Sequence, residues 1–106
     1  MTTFDERERA FENKFQHDQD LLFRIRARRN RLAGLWAAGL LGLTGGEVDA
    51  YVRQIVDADI AATGPHDIRD RLAADLHAQG IDISDHRVEK ELARLLDIAR
   101  EQVHAE

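Results

Sequence analysis

From about residue 20 onward, apolar residues recur every three or four positions with polar residues between them, which is the period of an α-helix. Four such stretches follow one another. The first carries Leu21, Leu22, Ile25, Leu32, Leu35, Trp36, Leu40 and Leu43, and the second Val48, Tyr51, Val52, Ile55, Val56 and Ile60. The third is short, with Ile68, Leu72, Ala73 and Leu76, and the fourth carries Val88, Leu92, Leu95, Leu96, Ala99 and Val103. Each stripe is wide enough to face a core. One proline, few β-branched runs and many Ala, Leu, Arg and Glu residues agree with the periodicity. The pattern predicts an all-α protein, a four-helix bundle-like domain over residues 20–106 preceded by an arm over residues 1–19.

Capping chemistry marks the boundaries. In "LLGLTGGEV", Gly42 is a natural left-handed stop for the first helix. Thr44 and Glu47 then have the spacing of a capping box, with Leu43 and Val48 at staple spacing. In "TGPHD", Pro65 is expected at the first position of the third helix, with Asp67 in its first turn. Gly80 ends that helix, and Ser84 is expected to cap the fourth.

The arm, "FDERERAFENKFQHDQD", is mostly charge, yet its phenylalanines are in phase. At ~100° per residue, Phe4, Phe11, Phe15 and Leu22 fall within roughly 40° of one another, with Glu8 and Asp18 flanking the same line. This seam is narrower than a core-facing one. Three arrangements are open to it: an extension packed on its own bundle, a helix laid in another molecule's groove, or a segment ordered only when something ties it down. The expectation is therefore an arm that is mobile or helical.

Charge changes the picture in the middle of the chain. Residues 1–20 carry a net −3, residues 21–43 carry five arginines and no acid, and residues 44–106 carry −7. An acidic protein with one basic island is a poor nonspecific nucleic-acid binder, so no nucleic-acid partner is expected. The island, Arg24, Arg26, Arg28, Arg29 and Arg31, needs a local explanation. Arg28 and Arg29 lie on the shoulders of the first apolar stripe, and a structural ion pair with Asp59 is one reading. An anion site for nucleotide phosphates is the other, with Trp36 and Tyr51 as stacking surfaces. No glycine-rich phosphate loop accompanies it, since "LTGGE" lacks the lysine and the preceding strand.

Absence of cysteine excludes disulfides and thiolate metal sites. The five histidines are dispersed, and "HDQD" and "DISDH" read as solvated helix-start residues rather than metal ligands. No nucleophile has a recognisable neighbourhood, so no catalytic residue, required cofactor or enzymatic activity is expected. Neither a signal peptide nor an apolar run of membrane-spanning length is apparent, and the expected location is cytoplasmic.

"TTFDERERAFENKF" followed by "ARRNRLAGLWAAGLLGLTG" resembles the zeta subunit family of alpha-proteobacterial F-type ATP synthases, small proteins that inhibit ATP hydrolysis. The likeness extends through "DADI" and covers nearly the whole chain. It implies a four-helix fold and a mobile N-terminal segment that becomes helical on insertion into the catalytic head. There, between alpha/beta subunits and against the central rotor, the segment acts as a pawl that stops rotation in the hydrolysis direction. The positions matching the inhibitory motif are Phe4, Asp5, Arg7, Glu8, Ala10, Phe11, Glu12, Lys14 and Phe15. The resemblance also implies ADP or ATP as a regulatory ligand near Arg28, Arg29 and Trp36, and a peripheral place at the inner membrane without insertion into it. Leu21 and Leu22 stand where a more polar junction between arm and domain is expected.

Overall fold

The computed structural model describes residues 2–62 and 64–106, with the side chains of 5–10, 12–62 and 64–106. Four helices follow in order: α1 (Thr2–Leu41), α2 (Gly46–Ala61), α3 (Asp67–Ala78) and α4 (Asp85–His104). No strand occurs among the described residues, and the protein is all-α.

Both glycine stops act as expected. Gly42 has φ +73° and Gly80 φ +78°. At the end of α1, Leu43 N–H donates to Ala38 O (3.0 Å) and Gly42 N–H to Gly39 O (3.2 Å). At the end of α3, Ile81 N–H donates to Leu76 O (3.0 Å) and Gly80 N–H to His77 O (2.9 Å). Both are Schellman closures, and they need a left-handed residue where a Cβ would be strained. Ser84 caps α4 by accepting from Arg87 N–H at 3.0 Å.

Two other boundaries differ from expectation. The capping box at Thr44 does not form. Gly45, at φ +57°, is the N-cap of α2 without any side-chain cap, and Glu47 N–H reaches only the Thr44 carbonyl. A glycine able to turn left-handed moves the helix start one residue on. Pro65 is likewise not the first residue of α3. It lies in a turn closed from Asp67 N–H to Gly64 O, where its fixed φ suits the second turn position. The Asp67 carboxylate accepts from Gly64 N–H at 2.9 Å and holds that turn.

The core joins Ala33, Ala37 and Ala38 of α1 to Tyr51 and Ile55 of α2, Ile68, Leu72, Ala73 and Leu76 of α3, and Val88, Leu92 and Leu95 of α4. A smaller cluster of Ile25, Ala99 and Val103 ties the last turns of α4 to α1 near residue 25. The α1 stripe holds at Leu21, Ile25, Leu32, Trp36 and Leu43 but departs from its other leucines. Leu22, Leu35 and Leu40 are exposed, as is Ile60 on α2, while the alanines and Gly34 are buried. A Cβ on Gly34 would stand 3.0 Å from the Val52 Cα. The helices approach so closely that small residues fill the contact between them, with Leu32 and Trp36 packed beside it and Leu35 and Leu40 left on the outer face.

Candidate functional site

Two features outside the core carry chemistry, the arm and a cleft beside its root. α1 runs without a break across positions 19 and 20, so the arm is a continuation of the domain's first helix. Every described side chain from Asp5 to Asp20 is exposed. None of them makes an ion pair or side-chain hydrogen bond within the chain. Phe15 is 59% exposed and Leu22, at the root, 57%. Asp5, Arg7, Glu8, Glu12 and Lys14 ring the same free helix. Phe4 and Phe11, the other expected anchors, lie outside the described side chains.

The basic island is mostly consumed by the fold. Arg24 pairs with Glu106 at 2.5 Å, and Arg28 pairs with the same carboxylate while donating to Gln102 Oε1 at 3.1 Å. The two guanidiniums hold the Glu106 carboxyl below its ordinary pKa, Arg28 contributing more. Asp59, the expected partner of Arg28 or Arg29, is instead gripped by Arg26, with Nη2 and Nε each 2.9 Å from one carboxylate oxygen. The exposed Arg26 reaches Asp59 because α1 and α2 run antiparallel, which brings position 26 opposite 59 as position 34 is opposite 52.

Arg29 differs from its neighbours. Its guanidinium donates to Asn30 Oδ1 from Nε (3.1 Å) and Nη2 (2.9 Å), and no carboxylate among the described residues lies within ion-pair distance. Burial lowers its pKa, an effect opposed by nearby Asp59 and reinforced by Arg26. Asn30 itself is 1% exposed, so this cation is seated on a buried amide.

Arg29 opens into a cleft of about 560 Å³ between α1, the turn before α3, and α4. Four arginines (Arg26, Arg29, Arg69 and Arg100) and His66 line it against two acids, Asp59 and Glu89. Glu89 receives His66 at 3.5 Å and Arg69 at 3.6 Å. Leu22, Ile25, Leu92 and Leu96 give the cleft an apolar floor. It can take an anion that also presents an apolar body.

Of the three residues expected around a nucleotide, only Arg29 is here. Arg28 faces a separate groove with Phe23 and Arg31, and Trp36 is half-buried against the core. Tyr51 is no stacking surface, being 8% exposed with its hydroxyl donating to Asp75 Oδ2 at 2.8 Å. Arg69 and Arg100 escaped the sequence because each stands near an acid, Asp70 and Asp97, with which it does pair, and reads as surface charge. No group of three or more potential metal ligands occurs among the described residues, and none of their helices is long and apolar enough to cross a membrane.

A family model described as ATPase inhibitor subunit zeta matches residues 1–102. A chain whose structure was solved by solution NMR is 32% identical, with a TM-score of 0.66, over 78% of this chain and 94% of that one. No curated protein matches.

Proposed function

This chain belongs to the ATPase inhibitor subunit zeta family, and from that premise we propose that its arm is the inhibitory element, docking as a helix in the catalytic head of an ATP synthase. The observation that carries this reading is the arm's lack of internal partners. From Asp5 to Asp20 the described side chains are exposed and unpaired, whereas eight of the twelve arginines and lysines beyond the arm make ion pairs. Phe4, Phe11 and Phe15 are its apolar anchors, each contributing on the order of 1.5–3 kcal/mol if fully buried at a partner surface. Asp5, Arg7, Glu12 and Lys14, outside that line, set orientation and encounter rate more than affinity. A helix wedged between alpha/beta subunits and the rotor obstructs rotation in the hydrolysis direction.

ATP hydrolysis by the matching synthase head tests this. The full chain is expected to inhibit, while a chain beginning at Gln19 and a Phe4→Ala/Phe11→Ala/Phe15→Ala triple variant are not. Retained inhibition by either would rule the arm out.

The arginine cleft favours a second, compatible reading, a regulatory adenine nucleotide. Its phosphates would meet Arg26, Arg29, Arg69 and Arg100, and its base the apolar floor. ADP titration followed by NMR distinguishes this site from the other face of α1. Arg29→Ala is expected to weaken binding at least tenfold, the scale of one lost charge-assisted contact, and Arg28→Ala to leave it unchanged. The reverse ranking would move the ligand to the Arg28 face.

A further inference from the structure

Because α1 is one uninterrupted helix, the arm keeps the angular phase of the domain. Counting back from buried Ile25, positions 22, 18, 15, 11, 8 and 4 follow at alternating steps of three and four. These are the a and d steps of a heptad, the positions that meet a neighbouring helix. Leu22 and Phe15 fill two of them, and Phe11 and Phe4 two more in the sequence. The remaining two are carboxylates, Glu8 and Asp18.

Both are exposed and make no ion pair or side-chain hydrogen bond among the described residues. Acids on the buried faces of the domain are treated differently, for Glu91 is held by Arg87 and Arg94, and Asp75 by Arg71 and Tyr51. A carboxylate on a packing seam is tolerated only opposite a cation, and so acts as a filter on partners.

A second copy fails that filter. In a parallel pair Glu8 would meet Glu8, and Asp18 would meet Asp18. In an antiparallel pair each would face an apolar step or another carboxylate, because the seam contains no base. The flanks lean the other way, since Arg7 and Lys14 on one shoulder complement Asp5 and Glu12 on the other. Exposed flank pairs add little, however, whereas carboxylates desolvated against each other lose water and gain no partner.

We propose that the arm is one strand of a heteromeric helical packing, and that its partner surface on the ATPase places a lysine or arginine opposite both Glu8 and Asp18. The spacing is ten residues, or about 15 Å along the axis. Apolar side chains on that surface meet the phenylalanine steps between and beside them. The same two carboxylates keep free arms from pairing with one another. This inference rests on the arm being the inhibitory element.

Two measurements on the full-length protein test it. In sedimentation, the unaltered chain is expected to be monomeric, and Glu8→Leu/Asp18→Leu to dimerise with rising concentration. A dimer of the unaltered chain, or a monomeric double variant, overturns the self-avoidance. In hydrolysis assays with the matching head, Glu8→Gln and Asp18→Asn are each expected to raise the half-inhibitory concentration about tenfold. Glu6→Gln, on the opposite side of the helix, should shift it by less than about twofold. Equal shifts at all three sites, or none at the seam, overturn the inference and leave the arm's inhibitory role standing. Absence of inhibition by the unaltered protein removes that role and the inference with it.

Discussion

Glu91 shows how a single side chain decides part of this fold. It is 4% exposed on α4, yet it lies between Val88, Leu92 and Leu95 in the apolar stripe. Arg94 donates to it from Nη2 at 2.5 Å and from Nε at 3.2 Å, and Arg87 adds a bond at 3.4 Å. The Arg94 bonds, more than the Arg87 one, hold its pKa below the ordinary glutamate value against the cost of burial. A depressed carboxylate stabilises the fold above its unfolded pKa, and that contribution is lost as pH falls through the folded value. The acid limb of the stability curve should therefore lie below about pH 4.5. Glu91→Gln is expected to cost about 1–3 kcal/mol at pH 7 and to flatten that limb. Urea titrations from pH 3 to 7 would show it, and parallel curves for the two proteins would mean that Glu91 carries none of the dependence. The heptad-like spacing of Glu91 with Val88 and Leu95 was readable in the sequence. Its two arginine clamps were readable only as neighbours at three and four residues, a pattern most exposed helices share.

At the scale of elements, the stops were more legible than the faces. Gly42, Gly80 and Ser84 act through local backbone geometry, which a few residues specify. The packing face of α1 depends on how close α2 comes, and that is a property of two helices. Hydropathy weights Leu35 and Leu40 above Ala33, Gly34, Ala37 and Ala38, whereas close approach rewards lack of volume. The two glycines of α1 separate these effects. Gly34→Ala would push a methyl to 3.0 Å from the Val52 backbone and should cost about 1–3 kcal/mol. Gly39→Ala meets nothing within 4 Å and should gain up to about 1 kcal/mol from the lower entropy of the unfolded chain. Thermal midpoints moving in opposite directions are the expected result, and a harmless Gly34→Ala would mean that α1 and α2 can part at little cost. The cleft was the least legible feature of all, because its arginines come from three helices and only the fold brings them together.

The whole molecule is a rod, 66 × 27 × 22 Å, with a radius of gyration of 17.5 Å against about 13 Å for a compact chain of this length. The excess is the arm, whose described side chains are all exposed. A free helix of that length is marginal in water because its first turn is costly to form. Here the domain supplies the nucleus: residues 21–41 are already helical, and each arm residue only extends them. Gln19→Pro tests that dependence with the full chain intact. Gln19 is exposed, so no packing is lost, while proline removes a backbone donor and strikes the carbonyl of position 15, at about 3 kcal/mol. The arm must then nucleate alone. Far-UV ellipticity should fall while the thermal midpoint stays within the equivalent of about 0.5 kcal/mol, since the change touches no core residue. Inhibition of the matching synthase head should weaken too, because the phase linking Glu8, Phe15 and Asp18 to the domain is broken. Unchanged ellipticity would mean that the arm's own sequence sustains its helix, and the inhibitory geometry would then be a property of residues 2–18 alone.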